Sequence, residues 1–282
     1  MGDLGVETAV ESLGDGRYRA TLDKAWEIWG PMGGYIASTA LRAVGAASPN
    51  TRPASFYCQY LGVAAFDTVD IEVQTLKAGR TVAFHQATIT QGGRPMLAAT
   101  VCSVGESANG PHVLEHVDAD APDVPDPEGL PTPAELWPDG EGPPFPFWLN
   151  FDQRPIDWEP TWPPDGPRDP MWRGWHRFMP TTTFDDPWAD ACRAVVLIDV
   201  QSWPAAHRPH AYKQAPVYAP SLDLYVAFHV QGPWGEWLLT DGHSAVAAAG
   251  LMGWTGRLWG RDRRLLASGG GQLLVRQAQA QA

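Results

Sequence analysis

Residues 186–204 read DPWADACRAVVLIDVQSWP, and this stretch has the pattern of a helix with a defined start and end. Asp186 followed by Pro187 is typical of a helix start, because an aspartate caps the first turn and a proline suits its first position. The helix is expected to end before Pro204, since proline interrupts a helix interior. The stretch therefore predicts one long helix in the second half of the chain.

One carboxylate of this helix falls among apolar side chains. At about 100° per residue, Asp199 lies in the middle of an apolar stripe, whereas Asp190, Arg193 and Gln201 lie on the opposite side. The stripe consists of Trp188, Cys192, Val195 and Trp203. A carboxylate that faces a core has its pKa raised by burial and needs hydrogen-bond partners. Such groups are frequent at functional sites, but a buried aspartate bound to a hydroxyl or to the backbone fits the pattern equally well.

The same order of elements occurs twice along the chain. In the first half, Pro31 opens a helical pattern with small or apolar residues on one face. Alternation and turn signals predict strands over residues 55–61, 69–76, 81–90 and 95–104, and again over 222–229, 236–240, 250–259 and 264–275. Residues 90–98 also resemble residues 259–267. We therefore predict an α+β fold in tandem, each half an antiparallel sheet wrapped around a central helix, with an unduplicated two-domain α+β protein as the alternative.

Residues 106–185 differ from the rest of the chain in charge and proline content. They hold 16 acidic and 4 basic residues, together with 17 of the 27 prolines. Proline at this density disfavours long helices and central strands. We predict an N-terminal domain over 1–105, an acidic connector over 106–185 and a C-terminal domain over 186–282. The connector is expected to be loose at 106–142 and then to pack its tryptophans onto a domain; a flexible connector and a partner-docking surface are the alternatives. The final QAQAQA is expected to be disordered.

The composition excludes several classes of protein. A chain of 282 residues with 44% hydrophobic residues is globular, and its net charge of −12 disfavours nucleic-acid binding. Three isolated cysteines, no secretion signal and no apolar run near the ~20 residues of a membrane span predict a cytoplasmic protein without a membrane span. No phosphate-binding glycine motif is present, so no nucleotide cofactor is expected. The histidine pair at 207/210 lacks helical metal-ligand spacing, and the pair at 112/116 lies in the proline-rich stretch without accompanying cysteines, so no metal is expected either.

Six motifs spread over both halves share an order and spacing with a known family. They are WGPMGGY at 29–35, LKAGR at 76–80, TQGGRP at 90–95, the helix at 186–204, SLDLYVAFH at 221–229 and EWLL at 236–239. In these motifs the chain resembles the acyl-CoA thioesterase II family, whose members fold as a double hotdog in one chain. The resemblance implies hydrolysis of acyl-CoA thioesters to the free acid and CoA.

The resemblance also implies a set of site residues. The family holds its nucleophilic water with an aspartate, a threonine or serine, and a glutamine, and Asp199 and Ser221 fall on the first two positions. The third position is Gly271, with Gln272 beside it. The resemblance makes Asp199 the expected general base, with Ser221 and Gln272 positioning the water. Neighbouring strand residues face opposite sides, so Gln272 reaches the site only if a bulge in the glycine run 269–271 turns it. Backbone N–H groups near Gly33 and Gly34 are the expected oxyanion donors.

Other functions remain to be weighed against this one. A non-catalytic acyl-CoA or acyl-carrier binding protein, marked by Gly271 in place of the glutamine, is the main alternative. The GHSAV stretch at 242–246 resembles the nucleophile elbow of another hydrolase class. That class requires a histidine downstream of the serine, and no histidine follows His243. The expected partner is an acyl-CoA substrate, and the expected assembly is a homo-oligomer.

Overall fold

The computed structural model describes residues 1–105, 116–137, 145–230 and 233–278. Its strands are β1 (Glu11–Gly14), β2 (Arg17–Thr21), β3 (Arg52–Tyr60), β4 (Thr68–Lys77), β5 (Val82–Gln91), β6 (Arg94–Val104), β7 (Phe151–Pro155), β8 (Met171–Phe178), β9 (Val217–Tyr218), β10 (Asp223–Phe228), β11 (Leu238–Ala248), β12 (Leu251–Gly260), β13 (Leu265–Leu274) and β14 (Arg276–Gln277). The strands predicted from the sequence are confirmed as β3–β6 and β10–β13, although β11 continues past its predicted end to Ala248.

The helices are α1 (Leu4–Glu7), α2 (Gly33–Ala47), α3 (Pro133–Leu136), α4 (Pro187–Val200) and α5 (Ser202–His207). The carboxylate of Asp186 caps α4 by accepting a hydrogen bond of 2.9 Å from the backbone N–H of Trp188, as its position before a proline predicts. Within the described residues, no helix is both long and apolar enough to cross a membrane.

Twelve of the strands form one antiparallel sheet whose order repeats on either side of its centre. The order is β1-β2-β4-β5-β6-β3-β10-β13-β12-β11-β8-β7, with β3 and β10 paired in the middle. Outward from β3 the neighbours are β6, β5, β4, β2 and β1, and outward from β10 they are the equivalent β13, β12, β11, β8 and β7. β9 and β14 form a separate pair. The repeat confirms the duplication predicted from the sequence.

Each half of the sheet surrounds one long helix. α2 contacts β3, β4, β5 and β6, whereas α4 contacts β10, β11, β12 and β13, and the two helices pack against each other. The predicted architecture of two antiparallel sheets, each around a central helix, is therefore confirmed. The helix-to-helix contact brings residues from both halves together at the centre of the molecule.

Helix α4 is buried on every side, so the polar face predicted for it is wrong. Its residues from Trp188 to Val200 are all buried, including Asp190 and Arg193. The Arg193 guanidinium pairs with the Asp190 carboxylate and donates to the backbone carbonyls of Thr182, Trp234 and Gly235. Segments outside the sheet thus cover the second face of the helix, and the charged groups there are tolerated because they are paired.

The stretch predicted as a connector contributes two strands to the sheet. β8 pairs with β11, and β7 pairs with β8, so these strands occupy the places that β2 and β1 take in the first half. The proline content of 106–185 was expected to disfavour central strands, yet β8 lies inside the sheet, between β11 and β7. β8 has no internal proline, and β7 lies at the sheet edge, where Pro155 is tolerated. The parts of the predicted loose region and tail at 106–115, 138–144 and 279–282 lie outside the described residues.

Candidate active site

Asp199 lies in the last turn of α4 and is only 6% exposed. Its Oδ2 accepts a hydrogen bond of 2.8 Å from the backbone N–H of Gly34, in the first turn of α2. Its Oδ1 accepts a hydrogen bond of 3.0 Å from the hydroxyl of Ser221, just before β10. Each carboxylate oxygen therefore has one donor, and the two donors come from different halves of the chain.

The close approach of α2 to Asp199 depends on two glycines. A Cβ atom on Gly34 would lie 2.7 Å from the carbonyl oxygen of Val195 and 2.8 Å from Cα of Val196. A Cβ atom on Gly33 would lie 2.7 Å from Oδ2 of Asp199. Side-chain atoms do not come this close to other groups, so this helix packing requires glycine at both positions.

Burial sets the charge state of Asp199. The loss of water around the carboxylate raises the pKa of Asp199 to about 6, and the hydrogen bonds from Gly34 and Ser221 oppose this rise. A carboxylate with this pKa is ionised at neutral pH, yet it is a stronger base than an exposed aspartate. It is therefore suited to accept a proton from a bound water molecule.

The structure does not bring Gln272 to Asp199 and Ser221. The side chain of Gln272 is exposed, and its carboxamide lies over Gly253 on β12. β12 and β13 pair without a register shift across residues 269–273, so the bulge that would turn Gln272 inward is not formed there. The backbone N–H of Gln272 donates to the carboxylate of Asp223 at 2.8 Å.

Gly271 leaves no room for a side chain in this arrangement. A Cβ atom there would lie 2.8 Å from Oδ1 of Asp223 and closer still to the carbonyl oxygen of the same residue. β10 and β13 thus approach each other at a point where only glycine fits. A glutamine at this position would require β10 to move.

A tyrosine hydroxyl that the sequence reasoning missed lies beside Asp199. Tyr60 ends β3, and its buried hydroxyl has no nitrogen or oxygen partner among the described residues, with only the thiol of Cys58 beside it. A Cβ atom on Gly33 would lie 3.0 Å from this hydroxyl oxygen and 2.7 Å from Oδ2 of Asp199, so both oxygens border the same small space. Burial, followed by the negative charge of Asp199, raises the pKa of Tyr60 far above its usual value. The hydroxyl therefore stays protonated.

The two predicted oxyanion donors have different surroundings. The N–H of Gly34 is bound to Asp199, so it is not free to bind an oxyanion in this structure. Gly33 is the first residue of α2, and its N–H has no acceptor within the described part of the chain. Because the first amides of a helix carry partial positive charge, Gly33 is the remaining donor.

The aromatic rings of Trp203 and Tyr218 pack on that of Trp29, and we call these three rings the aromatic rim. Each lies three or four positions along the chain from Gly33, Asp199 or Ser221, so the same segments carry the rim and the site residues. The ring centroid of Trp29 is 6.0 Å from that of Trp203 and 6.1 Å from that of Tyr218. Trp29 is 53% exposed, so the aromatic rim presents an apolar surface to the solvent.

The elbow-like GHSAV stretch and the histidine at 207 have structural surroundings that do not match a serine-nucleophile site or a metal site. Ser244, within the elbow-like stretch, belongs to the strand β11 and donates a hydrogen bond to the carbonyl oxygen of Gly253. A nucleophile elbow would instead require a sharp turn from a strand into a helix. The ring of His207 stacks on Trp203, whereas His112 lies outside the described residues. The described residues contain no cluster of three or more metal-ligating side chains.

The duplicated sheet around two central helices defines a double hotdog protein, and solved structures share this fold over nearly the whole chain. The acyl-CoA thioesterase II TesB2 from Mycobacterium marinum has a TM-score of 0.78 and 19% identity, covering 98% of this chain and 99% of that chain. A putative thioesterase II from Thermobifida fusca has a TM-score of 0.77 and 22% identity, covering 98% of both. The TesB protein of Mycobacterium avium subspecies paratuberculosis has a TM-score of 0.76 and 23% identity, covering 98% and 99%.

The matching family models identify the family. The acyl-CoA thioesterase N-terminal domain matches residues 22–104, and the acyl-CoA thioesterase C-terminal domain matches residues 118–275. The comparison with curated proteins found no match. The chain belongs to the acyl-CoA thioesterase family and is by class a thioester hydrolase.

Proposed function

We propose that this protein hydrolyses acyl-CoA thioesters to the free acid and CoA, with Asp199 as the general base that activates water. The observation that carries the proposal is the buried carboxylate of Asp199, whose two oxygens are oriented by Gly34 and Ser221. Its pKa of about 6 supports this role, because the group is ionised and basic near neutral pH. Membership of the family supports acyl-CoA as the substrate class.

The reaction takes place by direct attack of water on the thioester. Asp199 accepts one proton from the water as the water oxygen forms a bond to the carbonyl carbon. The carbonyl oxygen becomes an oxyanion, for which the free N–H of Gly33 is the proposed donor. The carbon–sulfur bond then breaks, and the proton held by Asp199 passes to the departing thiolate. The products are a carboxylic acid and the thiol of CoA, and the carboxylate of Asp199 is restored.

Ser221 orients the base in this mechanism. Its hydroxyl proton is used in the hydrogen bond to Oδ1 of Asp199, which holds the carboxylate in one orientation. Ser221 is partly exposed, whereas Asp199 is buried, so substrate approaches the carboxylate from the Ser221 side.

The aromatic rim provides an apolar surface at the proposed entrance. Trp29 and Tyr218 are both exposed beside the segments that carry Gly33 and Ser221. An acyl chain that leaves water gains free energy in contact with such rings. We place the apolar part of the substrate against this rim as it approaches Asp199.

Gly271 favours a second candidate function, a protein that binds acyl-CoA without hydrolysing it. The glutamine of the resembled family has no counterpart near Asp199, because Gly271 has no side chain and Gln272 faces outward. A panel of acyl-CoAs of increasing chain length, assayed with a thiol-detecting reagent, separates the two functions. Thiol release supports the hydrolase. Thermal stabilisation by the same ligands without thiol release supports the binding protein.

We further propose that the protein acts in the cytoplasm. The three cysteines, Cys58, Cys102 and Cys192, are all free thiols, and Cys58 and Cys192 are buried. This pattern fits a reducing compartment, in which unpaired cysteines are stable. Fractionation of cells that produce the protein is expected to recover it with the cytoplasmic enzymes.

A further inference from the structure

The hydroxyl of Tyr60 is a buried polar group, and among the described residues only the thiol of Cys58, a weak acceptor, lies within its reach. Leaving a buried hydroxyl without a strong hydrogen bond is unfavourable. The oxygen of Tyr60 accepts no hydrogen bond from the described residues, whereas the nearby carboxylate of Asp199 is bound by Gly34 and Ser221. A molecule that enters the site would supply the missing partner.

The backbone fixes this hydroxyl in place. The N–H of Tyr60 donates a hydrogen bond of 2.9 Å to the carbonyl oxygen of Leu222, which ties the end of β3 to the segment that carries Ser221. The ring packs against the hydrophobic core. Because Gly33 has no Cβ, the space between the Tyr60 hydroxyl and Oδ2 of Asp199 is not filled by a side chain.

Asp199 and Ser221 alone leave the attacking water incompletely held. One hydrogen of the water passes to Asp199, and the second hydrogen needs an acceptor that keeps the oxygen lone pair aimed at the thioester. Neither Gly271 nor Gln272 places a side-chain oxygen near Asp199 in this structure. The oxygen of Tyr60 lies next to Oδ2 of Asp199 and is free to accept.

We propose that Tyr60 is a third catalytic residue of this protein, and that its hydroxyl holds the attacking water against Asp199. The water donates one hydrogen bond to the oxygen of Tyr60 and gives its other hydrogen to Oδ2 of Asp199. Tyr60 keeps its own proton throughout, so it orients the water without taking part in the proton transfer. This inference rests on the proposed hydrolysis of acyl-CoA.

Tyr60→Phe tests the proposal, with Tyr57→Phe as its matched control. Tyr57 lies on the opposite face of β3, and its hydroxyl donates a hydrogen bond of 3.4 Å to Asp223. In Tyr60→Phe, kcat for acyl-CoA is expected to fall about 10- to 100-fold, with KM within about two-fold of wild type. The melting temperature is expected to stay close to that of wild type, because the lost hydroxyl makes no strong hydrogen bond within the described residues. Tyr57→Phe is expected to keep kcat within about two-fold.

The double mutant of Tyr60→Phe and Asp199→Asn distinguishes a catalytic role of Tyr60 from a structural one. If both residues act on the same water, adding Tyr60→Phe to Asp199→Asn lowers the residual rate far less than it lowers the wild-type rate. Wild-type kcat in Tyr60→Phe, or full additivity with Asp199→Asn, overturns the role of Tyr60 while leaving hydrolysis by Asp199 intact. Absence of thiol release by the wild-type protein, or an Asp199→Asn variant as active as wild type, overturns the proposed function and this inference with it.

Discussion

The backbone N–H of Gly34 lies 2.8 Å from Oδ2 of Asp199, and this hydrogen bond joins the first turn of α2 to the last turn of α4. The two residues are 165 positions apart in the chain, so the site forms only when the two halves pack together. The positive end of α2 also stabilises a negative charge at this point. Asp199 is therefore a buried base whose charge and orientation are set by the contact between the central helices.

Ser221→Ala is expected to reduce kcat for acyl-CoA about ten-fold or more, because Oδ1 of Asp199 loses the donor that orients the carboxylate. Ser221→Thr, which keeps a hydroxyl at the same place, is expected to retain most of the activity. Both variants are compared with wild type by thiol release. Full activity in Ser221→Ala would show that this hydroxyl has no part in the reaction.

The pH dependence of hydrolysis follows from the raised pKa of Asp199. The base works only when ionised, so kcat/KM is expected to fall as the pH drops through about 6 and to be level above it. Tyr60 and Cys58 are the other titratable groups beside Asp199, and burial raises the pKa of both, so they stay neutral over this range. The profile is measured with saturating and limiting acyl-CoA. A rate that stays constant down to about pH 4.5 would contradict the assignment of the base.

The same pKa has a consequence for stability. Folding raises the pKa of Asp199 from the ordinary 3.8 to about 6, so the folded state prefers the protonated form. This preference contributes about 3 kcal/mol below pH 4, and the contribution is lost as the pH rises through 6. Asp199→Asn has no such titration. Its free energy of unfolding in urea is therefore expected to increase relative to wild type between about pH 4.5 and 8, whereas parallel pH curves would refute the raised pKa.

Substitutions in β13 test whether a glutamine contributes to the site. Gln272→Ala is expected to keep kcat within about two-fold of wild type, because its side chain is exposed and directed away from Asp199. Gly271→Gln is expected to lower stability by about 1–3 kcal/mol without raising kcat, since Asp223 occupies the space that a side chain needs. Thiol release and thermal unfolding are measured on both variants. A loss of activity in Gln272→Ala, or a gain in Gly271→Gln, would contradict this geometry.

Most of the fold could be predicted because its signals are local. Alternation along β4 and the glycine turns around it mark strands, and Asp186 with Pro187 marks the start of α4. β8 was missed because the prolines around it dominate the composition of 106–185, although none lies inside the strand. The burial of Arg193 was missed because the segments that cover it come from other parts of the chain.

The site was only partly predictable for the same reason. The helical position of Asp199 and the motif that contains Ser221 are visible in the sequence, and the structure joins these two side chains by a hydrogen bond. The hydroxyl of Tyr60 gains its significance only from the packing of α2 and α4 beside β3, which no local pattern reports. Strand alternation alone left the direction of Gln272 open, because whether a bulge forms there depends on pairing with β12.

The rate of thiol release by Asp199→Asn at about pH 8, with saturating acyl-CoA, tests the role of Asp199 most directly. Asparagine preserves the size of the side chain but cannot accept the proton from water. We predict that kcat falls by about 10²- to 10⁴-fold, while acyl-CoA still raises the melting temperature of the variant. An Asp199→Asn protein that retains kcat within a factor of two of wild type would show that another group activates the water.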